Sequence, residues 1–293
     1  MNTHNPSFGR LLILLFLLLV TSGCSSGMTP SSADSDGSAA KSAEEPPGYV
    51  LADDTLSNLQ LDDPTVPVYD ALTIEERRER SLPTRMPALT PFHEGKIAYL
   101  TFDDGPDDKN TPAILDILRE NHVPATFYVT GQHAQLHPEV LRRIFEEHHA
   151  IGNHSFSHNY KTLYASPAAF LSDMQKTDAV IREIIGVRPL ILRAPGGVPG
   201  HFTASYPPAL ADAGYSEHDW NVSSADAAPG HPTAQDFIDN IDGQTNQKDF
   251  VIILMHCSEG HEETVKALPE ILHILKEKGF TFGVITPMTP QPW

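Results

Sequence analysis

Four short polar clusters carry residues able to do acid–base or metal chemistry: Asp103-Asp104-Gly105, His154-Ser155-Phe156-Ser157-His158, Arg193-Ala194-Pro195-Gly196-Gly197 and Leu254-Met255-His256. Adjacent carboxylates at the end of an apolar run repel each other and lose hydration unless a cation or a proton compensates. Two histidines four apart fall on one face of a helical turn, where they offer two neutral nitrogens to one metal ion. An arginine ahead of a Pro-Gly-Gly turn can fork onto a carboxylate, while the turn exposes backbone N–H groups. His256 closes the most apolar of the predicted strands, at a pocket edge. Each cluster also has an ordinary reading by itself: a turn, a chance pair among 15 histidines, a surface arginine, a core histidine. His122, His133, His137, His148 and His149 read as surface residues.

The elements that must position these clusters are short apolar runs alternating with amphipathic stretches from Lys96 onward. Strands are predicted over 97–102, 125–129, 150–155, 190–195, 215–222, 250–256 and 280–285. Helices are predicted between them, the last ending at Gly279. Such alternation implies an α/β fold with a parallel sheet, open or closed into a barrel. In a parallel sheet, catalytic groups gather beyond the carboxyl ends of the strands, and all four clusters stand there. Two His plus one Asp make a three-ligand set with open positions, the arrangement of a hydrolytic metal centre. The same set serves non-haem Fe(II) oxygenases, which usually sit on an antiparallel fold, so the alternation argues against them.

TFDDG, HSFSH, RAPGG and LMH, in that order, closely resemble the motifs of the NodB-homology polysaccharide deacetylases, carbohydrate esterase family four, over about residues 94–293. The resemblance implies a distorted (β/α) barrel of seven or eight parallel strands and one divalent metal ion, typically Zn2+, with Co2+, Ni2+ or Mn2+ as alternatives. It implies Asp104, His154 and His158 as metal ligands, Asp103 as the general base on water, and Arg193 as the partner that keeps Asp103 ionised. The backbone N–H of Gly196 would stabilise the oxyanion, Leu254 would line the acetyl-methyl pocket, and His256 would protonate the leaving amine. One motif departs from the family pattern, which has an Asp-Trp pair whose Asp contacts the acid histidine. Here the segment reads Asp219-Trp220-Asn221-Val222-Ser223-Ser224-Ala225-Asp226-Ala227, making Asp226 the candidate tuning carboxylate. Ala227 takes the aromatic position, and Trp220 either fills that wall or only packs the strand. Cys257 reads as a spacer rather than a nucleophile, because no second base is evident for it.

The segment before the domain divides in three. Residues 1–23 read as a signal peptide of lipoprotein type: an apolar run of about ten residues is short for a membrane span, and small residues precede Cys24. Those residues resemble a bacterial lipobox with Thr21 in place of the usual Leu, making Cys24 the candidate lipidation site. Residues 24–47 are Ser-, Ala-, Gly- and acid-rich, too apolar-poor to offset their ordering entropy, and read as a disordered tether. Residues 48–93 read as an ordered N-terminal arm in which Thr73-Ile74-Glu75-Glu76 forms a capping box. Lipidation of Cys24 would leave Cys257 without a disulfide partner.

These segments imply an exported protein, lipid-anchored on the outer face of the bacterial cytoplasmic membrane, and expected to be a monomer. A formal charge of −18 disfavours nucleic acid and gives no long-range attraction to polyanionic wall polymers. A neutral glycan suits it better, and the location makes peptidoglycan N-acetylglucosamine the expected substrate. N-acetylmuramic acid, exopolysaccharide, chitin oligomers and acetylated xylan are alternatives. So is a glycan-binding module without catalysis, which retention of both Asp103 and His256 opposes.

Overall fold

In the computed structural model, residues 48–292 are described. The signal segment 1–23, Cys24 and the tether 24–47 lie outside them. The arm opens with β1 (Val50–Leu51), which pairs parallel with β2 (Val68–Asp70), followed by α1 (Ile74–Glu79). Thr73 Oγ1 accepts the Glu76 N–H at 3.1 Å and the Glu76 carboxylate accepts the Thr73 N–H at 2.8 Å, the reciprocal capping that the sequence predicts.

Beyond the arm come β3 (Ile97–Asp103), α2 (Asn110–Asn121), β4 (Thr126–Val129), α3 (Gly131–Leu136), α4 (Pro138–Glu146), β5 (Ala150–Asn153), α5 (Tyr160–Leu163) and α6 (Pro167–Ile185). The second half runs β6 (Arg188–Pro189), β7 (Ile191–Leu192), α7 (Tyr206–Asp212), β8 (Ser216–Glu217), β9 (Val222–Ser223), α8 (Ala234–Thr245), β10 (Phe250–His256), α9 (Glu262–Glu277) and β11 (Thr281–Gly283). Strand order in the main sheet is β8-β7-β5-β4-β3-β10-β9, with β11 pairing the first half of β3 while β4 pairs its second half. Every pairing in this sheet is parallel, and the sheet curls into a half-barrel with helices alongside: a distorted (β/α) barrel, as expected. Among the described residues, no helix is long and apolar enough to cross a membrane.

The near-continuous apolar runs of β3 and β10 follow from burial on both faces. Ala98, Leu100, Phe102, Val251, Ile253 and Met255 point toward the helices and pack with Leu115, Leu118, Leu268 and Leu272. The alternate residues Ile97, Tyr99 and Ile252 pack inside the curl with Tyr128, Val284 and Ile285. Side chains alternate along a strand, so Thr101, Asp103, Leu254 and His256 belong to this inner face. The register pairs His256 with Asp103 directly.

The predicted strand over 215–222 is instead two short strands on opposite edges of the sheet. β8 pairs β7 and β9 pairs β10, so residues 218–221 span the open seam. Their carbonyls at His218 and Asp219 are taken by the Arg193 guanidinium, at 2.9 and 3.1 Å, instead of by a neighbouring strand. The arm is tied to the domain by the antiparallel pair β2–β6 and by a buried ionic cluster. Asp70 accepts from Arg77 Nε at 2.6 Å and from Arg188 Nη2 at 3.1 Å, and Arg77 also donates to the carbonyls of Asp53, Asp54 and Pro83.

Candidate active site

Asp103 ends β3 on the inner face, buried, with Oδ1 receiving a hydrogen bond from Arg193 Nη1 at 2.9 Å. Burial raises its pKa above the ordinary carboxylate value, and the Arg193 charge opposes that. Arg193 is fully buried and committed on every side. It donates to Thr101 Oγ1 at 2.7 Å and to the two seam carbonyls, with its guanidinium 4.3 Å from the Tyr128 ring centre and 5.6 Å from that of Trp220. It therefore fixes the orientation of Asp103 and favours its charged form against the effect of burial.

Asp104 adopts a left-handed backbone, φ 70°, which turns its side chain away from that of its neighbour. His133 Nδ1–H donates to the Asp104 carbonyl and holds the turn. Asp104 Oδ1 lies 3.5 Å from His154 Nε2 and 3.4 Å from His158 Nε2, buried and with no hydrogen-bond partner. A buried carboxylate oxygen facing two imidazole nitrogens, with nothing to satisfy it, fits a divalent cation. His154 Nδ1–H donates to the Arg193 carbonyl at 2.9 Å, which leaves Nε2 as the nitrogen with the lone pair. Burial lowers the His154 pKa to about 3, keeping the ring neutral as a ligand must be.

The histidine pair does not sit on a helical turn. It occupies a loop after β5 in which Ser155 and His158 are left-handed, with φ 72° and 51°. Side-chain acceptors build that loop. Asp173 of α6 takes the Phe156 and Ser157 N–H groups at 2.6 and 3.3 Å, Asn153 takes that of Ser155, and Ser155 Oγ takes that of His158. The ligand cluster borders a cavity of about 220 Å³ lined by Asp104, Thr130, Gln132, His133, His158 and Ser258.

His256 stands across the site. Its Nδ1 donates to Asp226 Oδ1 at 2.8 Å, and Asp226 Oδ2 accepts the His256 N–H at 2.7 Å and Thr264 Oγ1 at 2.9 Å. Burial alone would lower the His256 pKa; the Asp226 hydrogen bond and charge overcome it and lift the group to about 9. Asp219, by contrast, accepts the Val198 N–H at 2.9 Å beside Gly197. Trp220 packs partly buried against Gly197 and Arg193. Leu254 is buried two residues before His256 on the same face. Gly196 is exposed, with φ 75°.

Asp226, His256 and His261 also bring ligand atoms close together. The two rings are stacked 5.0 Å apart and inclined by only 20°, so their in-plane lone pairs do not converge, and Asp226 is committed to His256. The geometry is that of an imidazole paired with one carboxylate rather than of a chelate. Cys257 is buried, its thiol pushed up by that burial, and it packs against Gly105.

Sequence reasoning missed three residues. His133, read as surface, holds the Asp104 turn. His149, read likewise, is buried and accepts the Ala125 N–H at 3.1 Å. Asp173 organises the ligand loop from 15 positions past His158, a distance at which only its place on the inner side of α6 could have marked it.

Residues 92–218 match the family described as Polysaccharide deacetylase, a stretch that includes Asp103, Asp104, His154, His158 and Arg193 and stops before Asp226 and His256. The chain is 35% identical over 195 residues to a peptidoglycan-N-acetylglucosamine deacetylase of Bacillus cereus, covering 64% of this chain and 69% of that one. It is 31% identical over 234 residues to a chitin deacetylase of Colletotrichum lindemuthianum, covering 73% and 88%. Among solved structures, a family-four carbohydrate esterase of Streptococcus mutans is similar with a TM-score of 0.61 at 33% identity, over 64% of this chain and 85% of that one. With the barrel, the Asp-His-His cluster and these likenesses in hand, the chain belongs to the polysaccharide deacetylases of carbohydrate esterase family four, hydrolases that act on amide bonds.

Proposed function

We propose that the protein removes N-acetyl groups from peptidoglycan N-acetylglucosamine, with zinc as its ion. The observation that carries the chemistry is the division of labour between adjacent carboxylates. Asp104 faces two imidazoles with an unsatisfied oxygen, while Asp103 is held on Arg193 and stays free to take a proton. Asp104, His154 and His158 would hold a divalent cation, which would supply Lewis acidity toward the acetyl carbonyl and the attacking water. Asp103 takes a proton from that water as its oxygen adds to the carbonyl carbon. The Gly196 N–H faces the developing oxyanion. His256, charged through Asp226, gives its proton to the nitrogen as the C–N bond breaks, releasing acetate and a free amine. Leu254 lines the space for the acetyl methyl.

The peptidoglycan assignment rests on the relatives named for that substrate and on the lipoprotein-type N-terminus, from which we infer export and anchoring through Cys24 at the outer face of the cytoplasmic membrane. A second cavity, about 570 Å³, is lined by Asp226, the partner of His256, together with His231, Phe237, His261 and Glu263. The test is incubation of the zinc-loaded protein with peptidoglycan, chito-oligosaccharide and acetylated xylan, followed by mass spectrometry of the products. Acetate from peptidoglycan above the other two is expected. Preference for another glycan reassigns the substrate, and no acetate from any of them leaves a non-catalytic binder.

A further inference from the structure

The turn Pro195-Gly196-Gly197 borders the site without a side chain of its own at 196 or 197. Both glycines are left-handed, with φ 75° and 82°. A Cβ built on Gly196 would stand 2.7 Å from Tyr160 Oη and 3.0 Å from Tyr160 Cε1. The space over the turn is therefore filled by the ring of Tyr160, which comes from the first turn of α5, two residues after His158.

The neighbours of Tyr160 are fastened to the same turn. Tyr164 Oη donates to the Pro195 carbonyl at 2.6 Å, and His201 Nδ1–H donates to the Gly197 carbonyl at 2.8 Å. Tyr160 lies at steep angles to three rings: His158 at 5.4 Å and 74°, Tyr164 at 5.9 Å and 61°, and His201 at 5.4 Å and 62°. Unlike Tyr164 and His201, Tyr160 has no hydrogen bond from its polar tip to any described residue. It is also 43% exposed, one of three large apolar side chains so exposed among the described residues. Its contact with the His158 ring sets it beside the ligand cluster.

We propose that Tyr160 is a substrate-binding residue whose ring forms the platform on which the sugar bearing the reacting acetyl group packs. The inference rests on the deacetylase reading above. A pyranose presents C–H bonds of partial positive charge on its faces, and these complement the electron-rich face of an aromatic ring. Three rings already hold the side chain, so little of its freedom remains to be lost when the sugar arrives. The platform stands over the Gly196 turn, whose N–H faces the reacting carbonyl, so sugar packing and acetyl positioning are set by one local structure.

The test uses tetra-N-acetylchitotetraose with wild type, Tyr160→Phe, Tyr160→Leu and Tyr160→Ala, each checked for fold by thermal melting. With an aromatic platform, KM rises about tenfold in the Leu and Ala forms while kcat falls by less than about threefold, and Tyr160→Phe stays close to wild type. The same order is expected for Kd by calorimetry when each change is made in the non-hydrolysing Asp103→Asn background. Unchanged KM and Kd in Tyr160→Ala would overturn the proposal. So would a Phe form as damaged as the Ala form, since the hydroxyl and not the ring would then be responsible, and so would absence of binding in the Asp103→Asn form. Binding that depends on Tyr160, with no acetate released by wild type from this oligosaccharide or from peptidoglycan or acetylated xylan, would sink the deacetylase reading and leave the platform standing.

Discussion

Replacing Asp226 by Asn keeps the shape of the His256 contact and removes its charge. In the wild type, Asp226 sits 2.8 Å from His256 Nδ1 and overcomes the burial of the imidazole, carrying its pKa from 6.5 to about 9. That difference corresponds to about 3 kcal/mol of preference for the charged ring. Without it, only the charges of Asp103 and Asp104 still oppose burial, and the pKa falls back toward 6.5. At pH 7.5 the wild-type acid is almost wholly protonated, whereas with a pKa near 6.5 about one tenth of the variant is. Acetate release by Asp226→Asn at pH 7.5 should therefore drop by about tenfold or more and recover in part toward pH 6. The alkaline limb of kcat/KM should move down from near 9. Both proteins carry the same Asp103, Asp104 and cation, so the comparison isolates Asp226. The linkage has a definite sign: with the folded pKa above the unfolded one, the contribution to stability is complete below about 6.5 and lost as pH rises through about 9. Wild type should lose stability across that window and the variant should not. An alkaline limb that stays in place in Asp226→Asn would refute this assignment of the acid.

Three further outcomes follow from contacts outside the proton path. Asp70→Ala leaves Arg77 buried without a carboxylate and Arg188 with Asp178 alone, and should cost about 3–5 kcal/mol in denaturant unfolding, because an uncompensated buried charge is the larger penalty. Asp173→Ala releases the Phe156 and Ser157 N–H groups that shape the ligand loop, and should weaken zinc binding about 10–100-fold in a chelator competition. Cys257→Ala should keep turnover, since the thiol is buried and pushed away from ionisation, while lowering stability by about 1 kcal/mol in a thermal melt.

The parts of the site legible in the sequence were those at the ends of long buried strands. The period-two alternation in β3 and β10 places Asp103 and His256 on one face, and the register sets them side by side. Asp226 was legible only as a departure from a motif, and the structure brings it to His256 across 30 positions. What was not legible depends on side chains that replace regular hydrogen bonding. A His-x-x-x-His spacing reads as a helical turn, yet Asp173 and Ser155 capture the N–H groups and leave an irregular loop. The run 215–222 reads as one strand, yet Arg193 takes two of its carbonyls at the seam. Tyr160 and His133 gave no periodic signal, because their importance comes from a glycine turn and a left-handed aspartate elsewhere in the chain.

The central claim is that the adjacent carboxylates have different tasks, Asp104 holding the cation and Asp103 moving the proton. The most direct measurement is zinc content by elemental mass spectrometry together with acetate release for Asp103→Asn. Zinc content equal to wild type and turnover lowered by about 10²–10⁴-fold are expected. Loss of zinc from Asp103→Asn, or retained turnover, would contradict it.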